Sequence, residues 1–381
     1  MLDSIYIRNY RTLENLSIGS LGRVNLIIGK NNTGKTTLLE AIGIYATKGD
    51  FSFISQIFEE RGESSRKRDT NEYDISNNLE MLRSLFTNRT IKFNLDSAIV
   101  IGTQETSLLE IQKTNDQSVT LRLVLYSDEV QRNAQGVRLN RKSIVADSDL
   151  SEVAVDIYEH KVGFEINTGS RSVILPIESL PGRSSLQPSE NKSTLQLIRT
   201  FNIDRNINGR LWDNITLTEK ESHVIEALRI IEPLTERIAF KESSSSSRER
   251  TTIIKLSNVD TPIPLKSMGD GINRILTIIL ALVNADNGFL LIDEFENGLH
   301  YSVQEKLWEI IFKLSQKLNV QVFVTTHSED CIVGFETILN DSDNPLEGKL
   351  IRLENINGKI KQVEFDAKEL KIATDNDIEI R

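Results

Sequence analysis

The sequence predicts an α/β fold carrying antiparallel β and helical insertions. Three observations predict it. The mostly apolar run Val24-Asn25-Leu26-Ile27-Ile28 ends in a loop bracketed by Gly29 and Gly34, and a helical pattern follows. A second apolar run, Phe289-Leu290-Leu291-Ile292, ends in the paired carboxylates Asp293 and Glu294. Between them, from about 92 to 178, the pattern shifts to short runs of period two rich in Val, Ile and Leu.

Taken in order, Leu2–Ile7 alternates as a strand does, Asn9–Thr12 reads as a turn, and Leu13–Ile18 as a returning strand. Val24–Ile28 is the next strand. Lys35–Thr47 places Leu38, Leu39, Ile42 and Tyr45 at helical spacing, so a helix leaves the loop. Residues 50 to 90 read as helical and polar, with Glu59–Asp69 an exposed charged loop. Ser118–Leu125, Val153–Ile157 and Ser172–Ile177 are expected strands of an antiparallel meander. Pro181–Thr194 is a loop by composition. Thr216–Ile231 returns to helix, with Thr216-Leu217-Thr218-Glu219 as a capping box. Ser243–Ser247 reads as a flexible tip, Ile275–Val283 as a core helix and Val320–Val324 as a core strand.

Bulk properties bound the function. In 381 residues, 39% are hydrophobic and 26% charged, enough for a buried core. No apolar run reaches membrane-spanning length. The N-terminus lacks the basic start and apolar stretch of a signal peptide, and the expected location is the cytoplasm. The single cysteine, Cys331, excludes a disulfide framework and cysteine-rich zinc sites. A net charge of −10 argues against binding DNA or anionic membrane along the whole surface, though a local basic groove stays possible.

Gly29-Lys30-Asn31-Asn32-Thr33-Gly34-Lys35-Thr36 matches G-x-x-x-x-G-K-[ST] in full. The glycines let the backbone turn its N–H groups inward, and with the helix N-terminus these form a nest for phosphates. Lys35 is placed to reach the β and γ oxygens, and the Thr36 hydroxyl to bind Mg²⁺. The ATP-binding set is Gly29, Asn31, Asn32, Thr33, Gly34, Lys35, Thr36 and Thr37. Such a loop needs an acid for the metal and a group to orient water. Asp293 is the expected metal residue, with Thr36, and Glu294 the general base. Lys35 and Asp293 stand some two-thirds of the chain apart, so a large segment is inserted between them.

Two further stretches complete the constellation. Ser267-Met268-Gly269-Asp270-Gly271 opens an apolar helix, a second anion cradle. One ATP needs only one cradle from a chain, so Ser267, Gly269 and Gly271 are expected to cap nucleotide held by a second subunit. Thr325-Thr326-His327-Ser328 ends a core strand, where open α/β sheets bind ligands, and His327 is placed to contact the γ-phosphate.

Gly29–Thr36, Ser267–Gly271, Asp293–Glu294, Glu296-Asn297-Gly298-Leu299-His300 and Thr325–Ser328, in that order, resemble the ABC-type ATPase heads, most nearly their RecF-like and OLD branch. The similarity covers about 1–48 and 250–335. It implies a P-loop NTPase fold with Walker A, signature, Walker B, D-loop and H-loop in these five stretches, and head-to-head homodimers with two ATPs between them. It also implies a basic residue near the nucleotide, for which Arg11 is the candidate. The signature reads SMGDG and not LSGGQ, which leaves the contacts of Met268 and Asp270 open. No stretch stands out as a Q-loop; Gln56 is a candidate for its glutamine and reads otherwise as a surface residue. Only about fifty residues follow His327, too few for the Toprim nuclease domain of OLD proteins, so the chain is not expected to cut nucleic acid itself.

The expected organisation is an ATPase core from 1–48 and 250–381, with 49–249 inserted as β-meander and helical lobe. The expected function is an ATP-hydrolysing dimeric switch that drives a separate effector, a nuclease or toxin of a phage-defence or stress system. Two alternatives remain: a non-catalytic ATP-dependent scaffold, and a RecF-like DNA-repair ATPase using Arg132, Arg138, Arg141 and Lys142.

Overall fold

The computed structural model describes residues 1–63, 75–105, 117–132, 138–145, 160–180, 194–200, 206–243, 246–341 and 347–375. Strands β1 (Ile5–Tyr10) and β2 (Leu13–Ile18) form the first hairpin, closed at the pair Tyr10↔Leu13. The first strand starts later than its alternation suggests. Leu2 instead gives both backbone groups to the Gln321 side-chain amide, each bond 2.8 Å long.

The central sheet positions the site. Its order is β16-β15-β3-β14-β13-β9, from β3 (Val24–Ile28), β9 (Leu195–Ile198), β13 (Phe289–Ile292), β14 (Gln321–Thr325), β15 (Gly348–Ile356) and β16 (Lys359–Phe365). All pairs are parallel except β15 with β16. Successive residues of β3, β13 and β14 feed two different cores. Leu26, Leu290 and Val324 face one, while Ile27, Leu291 and Phe323 face the other. That is why these strands read as near-continuous apolar runs.

On one face lies α1 (Lys35–Ala46), wedged between this sheet and a second, antiparallel one. The second sheet joins β1 and β2 to β4 (Ile99–Gly102), β5 (Ser118–Arg132), β6 (Arg138–Ile144), β7 (Lys161–Asn167) and β8 (Ser172–Pro176), in the order β2-β1-β4-β5-β7-β8 with β6 paired to β5. The antiparallel meander is therefore present and continuous with the first hairpin. The expected strand Val153–Ile157 lies outside the described residues, as does the expected loop Pro181–Thr194 except for Thr194. Helix α1 is buried on nearly every side, as a helix between two sheets must be.

Helix α2 (Phe51–Glu60) packs beside α1 and corrects the polar reading of this region. Phe51, Phe53, Ile54, Ile57 and Phe58 are all buried, each contributing roughly 1.5–3 kcal/mol. Of the exposed loop expected over Glu59–Asp69, Glu59 and Glu60 instead close this helix, with Glu60 turned inward, and residues 64–69 lie outside the described ones. Helix α3 (Ile75–Arg83) follows.

The other face of the central sheet is covered by α6 (Asp270–Asn284), α7 (Tyr301–Lys317) and α8 (Glu329–Asp341), with α9 (Ala367–Asp375) against α8. Beside α6 stand α4 (Ile207–Asp213), α5 (Lys220–Ile231) and a small sheet of β10 (Thr235–Ser243), β11 (Ser246–Leu256) and β12 (Ile263–Pro264). Of the serine run expected to be a flexible tip, Ser243 ends β10 and pairs with Ser246, which begins β11, while residues 244 and 245 lie outside the described residues. The capping box at Thr216 does not form. Helix α5 begins at Lys220, and the Lys220 N–H donates to the Thr218 hydroxyl at 3.3 Å. The Glu221 carboxylate accepts the Leu217 N–H at 2.6 Å, two residues beyond the expected Glu219.

Candidate nucleotide site

Four parallel strands end at one cleft of about 680 Å³, and three of them, β3, β13 and β14, are followed by a predicted stretch. After β3 comes the glycine loop. Gly29 has φ 145°, and a Cβ there would meet the Leu353 carbonyl oxygen at 2.3 Å. Gly34 has φ 86° and is the N-cap of α1. The backbone thus takes a path closed to other residues, which is why both positions are glycine. Asn31, Asn32, Thr33, Gly34, Lys35, Thr36 and Thr37 line the cleft. The Lys35 ammonium folds over its own loop, donating to the Gly29 carbonyl at 2.7 Å and the Lys30 carbonyl at 3.0 Å.

After β13, Asp293 and Glu294 enter the same cleft. The Thr36 hydroxyl donates to Asp293 Oδ2 at 3.1 Å, and the Thr325 hydroxyl to Oδ1 at 2.6 Å. Glu294 sits at φ 49°, its N–H held by the Thr325 oxygen at 2.9 Å. After β14, His327 lines the cleft with Nδ1 3.5 Å from Lys35 Nζ. Its backbone N–H and the Thr326 hydroxyl both donate to the Glu296 carboxylate, each at 2.7 Å. Glu296 therefore orients the turn that carries His327, a role its place in the sequence did not announce.

The residues fit Mg²⁺ and a phosphate chain. Thr36 and Asp293 present hard oxygens side by side, the donor set Mg²⁺ takes. The backbone turn, Lys35 and the start of α1 supply the anion nest.

Two groups of expected residues stand elsewhere. Ser267, Gly269 and Gly271 do not line their own chain's cleft. Ser267 is exposed, its hydroxyl turned back to the Pro264 carbonyl at 2.6 Å. Arg11 is also absent from the lining. Its guanidinium pairs bidentately with Glu63 at 2.7 and 3.0 Å and approaches Glu40 at 3.5 Å. Burial raises the Glu63 carboxyl, but the Arg11 bond and charge, with the Ser84 hydroxyl and Arg61, outweigh it and hold it below the usual carboxylate range. Gln56 donates to Glu60 at 2.7 Å and lines a neighbouring cleft with Phe53 and Leu197, not this one. Of the basic cluster, Lys142 binds the Ile174 carbonyl at 2.9 Å and lies over the Tyr126 ring, while the side chains of Arg132, Arg138 and Arg141 are outside the described ones.

The cleft also holds residues that sequence reasoning missed: Thr12, Glu40, Glu60, Arg61, Arg199 and Thr200. Arg199 and Thr200 follow β9. Beneath them Arg274 of α6, only 6% exposed, donates to the carbonyls of Arg199 and Asp293 at 3.2 and 3.3 Å. Burial pulls this guanidinium below the usual arginine range, against the opposing charges of Asp293, Glu294 and Glu296.

Comparison with known families matches residues 1–332 to the AAA ATPase domain. The chain belongs to this family. This AAA ATPase is 23% identical over 369 residues to an ATP/GTP phosphatase of Helicobacter pylori, covering 93% of this chain and 92% of that one. It is 23% identical over 307 residues to an uncharacterised protein of Methanocaldococcus jannaschii, covering 77% and 86% of the two chains. Among solved structures, an Smc head bound to the C-winged helix domain of ScpA aligns with a TM-score of 0.49 at 11% identity, over 96% of this chain and 98% of that one. The protein is a P-loop ATPase with a mixed α/β fold, and it hydrolyses ATP. Among its described residues, no helix is long and apolar enough to cross a membrane.

Proposed function

We propose that this ATPase is a nucleotide-driven dimeric switch. ATP held on Lys35 of one copy is capped by the Ser267–Gly271 turn of a second copy, and hydrolysis releases the pair. One observation carries the reading: Ser267 and Gly269 are exposed and absent from their own cleft, yet the helix that follows them is tied through Arg274 to the backbone of Asp293. A ligand bridging two copies would therefore press on the element that positions Asp293 and Glu294.

In this scheme Lys35 and the loop N–H groups bind the phosphates. Thr36 and Asp293 would hold Mg²⁺, which when bound spreads the charge of the β and γ oxygens. Glu294 takes a proton from the attacking water. The new bond forms to the terminal phosphorus, and its bond to the bridging oxygen breaks with the electron pair leaving on ADP. His327, oriented by Glu296, contacts the terminal phosphate. Two shared phosphates that together favour the closed state by about 5.5 kcal/mol would move the pair from almost fully open to almost fully closed. The name of the Helicobacter pylori relative supports triphosphate hydrolysis here and keeps GTP as a second substrate. The resemblance to the OLD and RecF-like branch supports a cytoplasmic switch whose output reaches a separate effector, a nuclease or toxin acting against phage.

Phosphate release by wild type and Glu294→Gln tests the chemistry. A general base contributes about 10²–10⁴-fold, so the variant should slow by that factor and still bind ATP. Equal rates in the two proteins would remove Glu294 from this role.

A further inference from the structure

The parallel pairing of β9 with β13 is in register at Ile198↔Ile292, so the next residue on β9, Arg199, stands beside Asp293. The Asp293 N–H donates to the Ile198 carbonyl at 2.8 Å, and the Thr200 hydroxyl to the Asp293 carbonyl at 3.4 Å. The main-chain bond at Ile198, the side-chain bond from Thr200 and the Arg274 bond to the Arg199 carbonyl thus hold this residue against the site backbone.

Its guanidinium is poorly settled. Nε lies 2.5 Å from Glu60 Oε2 and Nη1 lies 3.6 Å from Glu40 Oε1. Yet Nε, Nη2 and that Glu60 oxygen are all sealed from solvent, and none completes a hydrogen bond among the described residues. An arginine carries five N–H donors in a flat fork, and donors sealed without partners are unfavourable. Glu40 is already engaged by Arg61, at 2.8 and 3.1 Å, and approached by Arg11. The two carboxylates therefore hold the Arg199 charge without satisfying the donors on Nε and Nη2. Arg199, Glu40 and Glu60 line the same cleft as Lys35, Asp293 and Glu294. A phosphoryl group offers the several acceptor oxygens that this fork lacks.

We propose that Arg199 is a further catalytic residue of the reaction: with nucleotide bound, its guanidinium leaves Glu60 and engages the terminal phosphoryl group. The inference rests on the reading of the Lys35 cleft as the ATP site. Arginine at this place neutralises charge that grows on the equatorial oxygens in the transition state, which ADP does not present. Arg199 thereby distinguishes triphosphate from diphosphate. Glu60 sets the threshold, since the guanidinium must leave it.

The test measures affinity for ADP, for ATP and for ADP with aluminium fluoride, together with phosphate release, in the full chain. Arg199→Ala should bind ADP within about twofold of wild type. Its kcat should fall about a thousandfold, the lower end of what a transition-state arginine contributes. It should also lose the preference for ATP and for the fluoride complex over ADP. Should that variant fail to fold, Arg199→Lys carries the test, keeping the charge near Glu60 without the fork; kcat should fall at least about tenfold with ADP affinity unchanged. Lys35→Ala is the reference for the cleft and should lose all three ligands. If Lys35→Ala keeps them, the cleft assignment itself fails. If Lys35→Ala loses them while either Arg199 variant keeps the wild-type ATP-to-ADP ratio and kcat, only the role of Arg199 is overturned. A parallel loss of ADP and ATP affinity in the Arg199 variants would also overturn it, because a purely structural residue moves both alike.

Discussion

Thr325 and Asp293 meet across adjacent parallel strands, hydroxyl to carboxylate at 2.6 Å, while the same threonine oxygen accepts the Glu294 N–H at 2.9 Å. One side chain from β14 thus fixes both acids that end β13. Thr325→Val keeps the shape and removes the hydroxyl. The Glu294 N–H is then left without its partner, a loss of about 1–3 kcal/mol in urea denaturation. Phosphate release should fall about 10–100-fold, as it does when a group orienting a metal ligand is removed.

Gly29 gives a steric prediction. Its φ of 145° and the approach of the Leu353 carbonyl leave no room for Cβ, which would lie 2.3 Å from that oxygen. Gly29→Ala must shift the loop or strain it by about 1–3 kcal/mol. Nucleotide affinity measured by calorimetry should weaken about tenfold or more, since 1.4 kcal/mol is a factor of ten. The thermal midpoint should move less than the affinity suggests, because the strain relaxes in the loop.

The pairing of Arg11 with Glu63 gives a pH dependence. The folded carboxyl titrates below its ordinary range. The stability it contributes is therefore fully present above the unfolded value of about 4.3 and is lost as pH falls through the lower folded value. Glu63→Gln should be less stable than wild type at pH 7. The gap between them in urea should shrink as the pH is taken below about 4. A gap that stayed constant would mean the carboxylate's charge contributes nothing.

Trp308 supports the site from below. It is fully buried, stacks on Phe295 with ring centres 4.4 Å apart, and donates Nε1–H to the Cys331 carbonyl at 3.0 Å. Phe295 directly follows Glu294. Trp308→Ala should cost about 3–5 kcal/mol of unfolding free energy. Trp308→Phe, which keeps most of the volume, should cost about 1–3 kcal/mol through the lost hydrogen bond.

The glycine loop, the two acids and His327 were legible because each combines a restricted residue type with an apolar strand beside it. Strand β13 falls on the expected run, and β3 likewise. The rest of the cleft was hidden for physical reasons. Strand β9, Leu195–Ile198, is as short as β13 but is broken by Gln196 and lacks paired carboxylates after it, so nothing in the sequence points to Arg199 and Thr200. Glu40 and Glu60 lie on helices, where charged residues ordinarily face water. Only the packed fold shows Glu40 at 1% exposure with Arg61 and Arg11 around it. Strands β10 and β11 carry many charges and a serine run, and their alternation was masked by composition. Arg11 was picked out as a basic residue near nucleotide, whereas its charge is met by Glu63 one layer behind the lining.

The central claim is that two copies share nucleotide through the Ser267–Gly271 turn. Its most direct test is the solution mass of Glu294→Gln, by light scattering, with and without ATP and Mg²⁺. The mass should double with ATP, stay unchanged with ADP, and fail to double when Ser267→Arg is added although the cleft still binds nucleotide. A protein that binds ATP and remains a monomer would contradict the account.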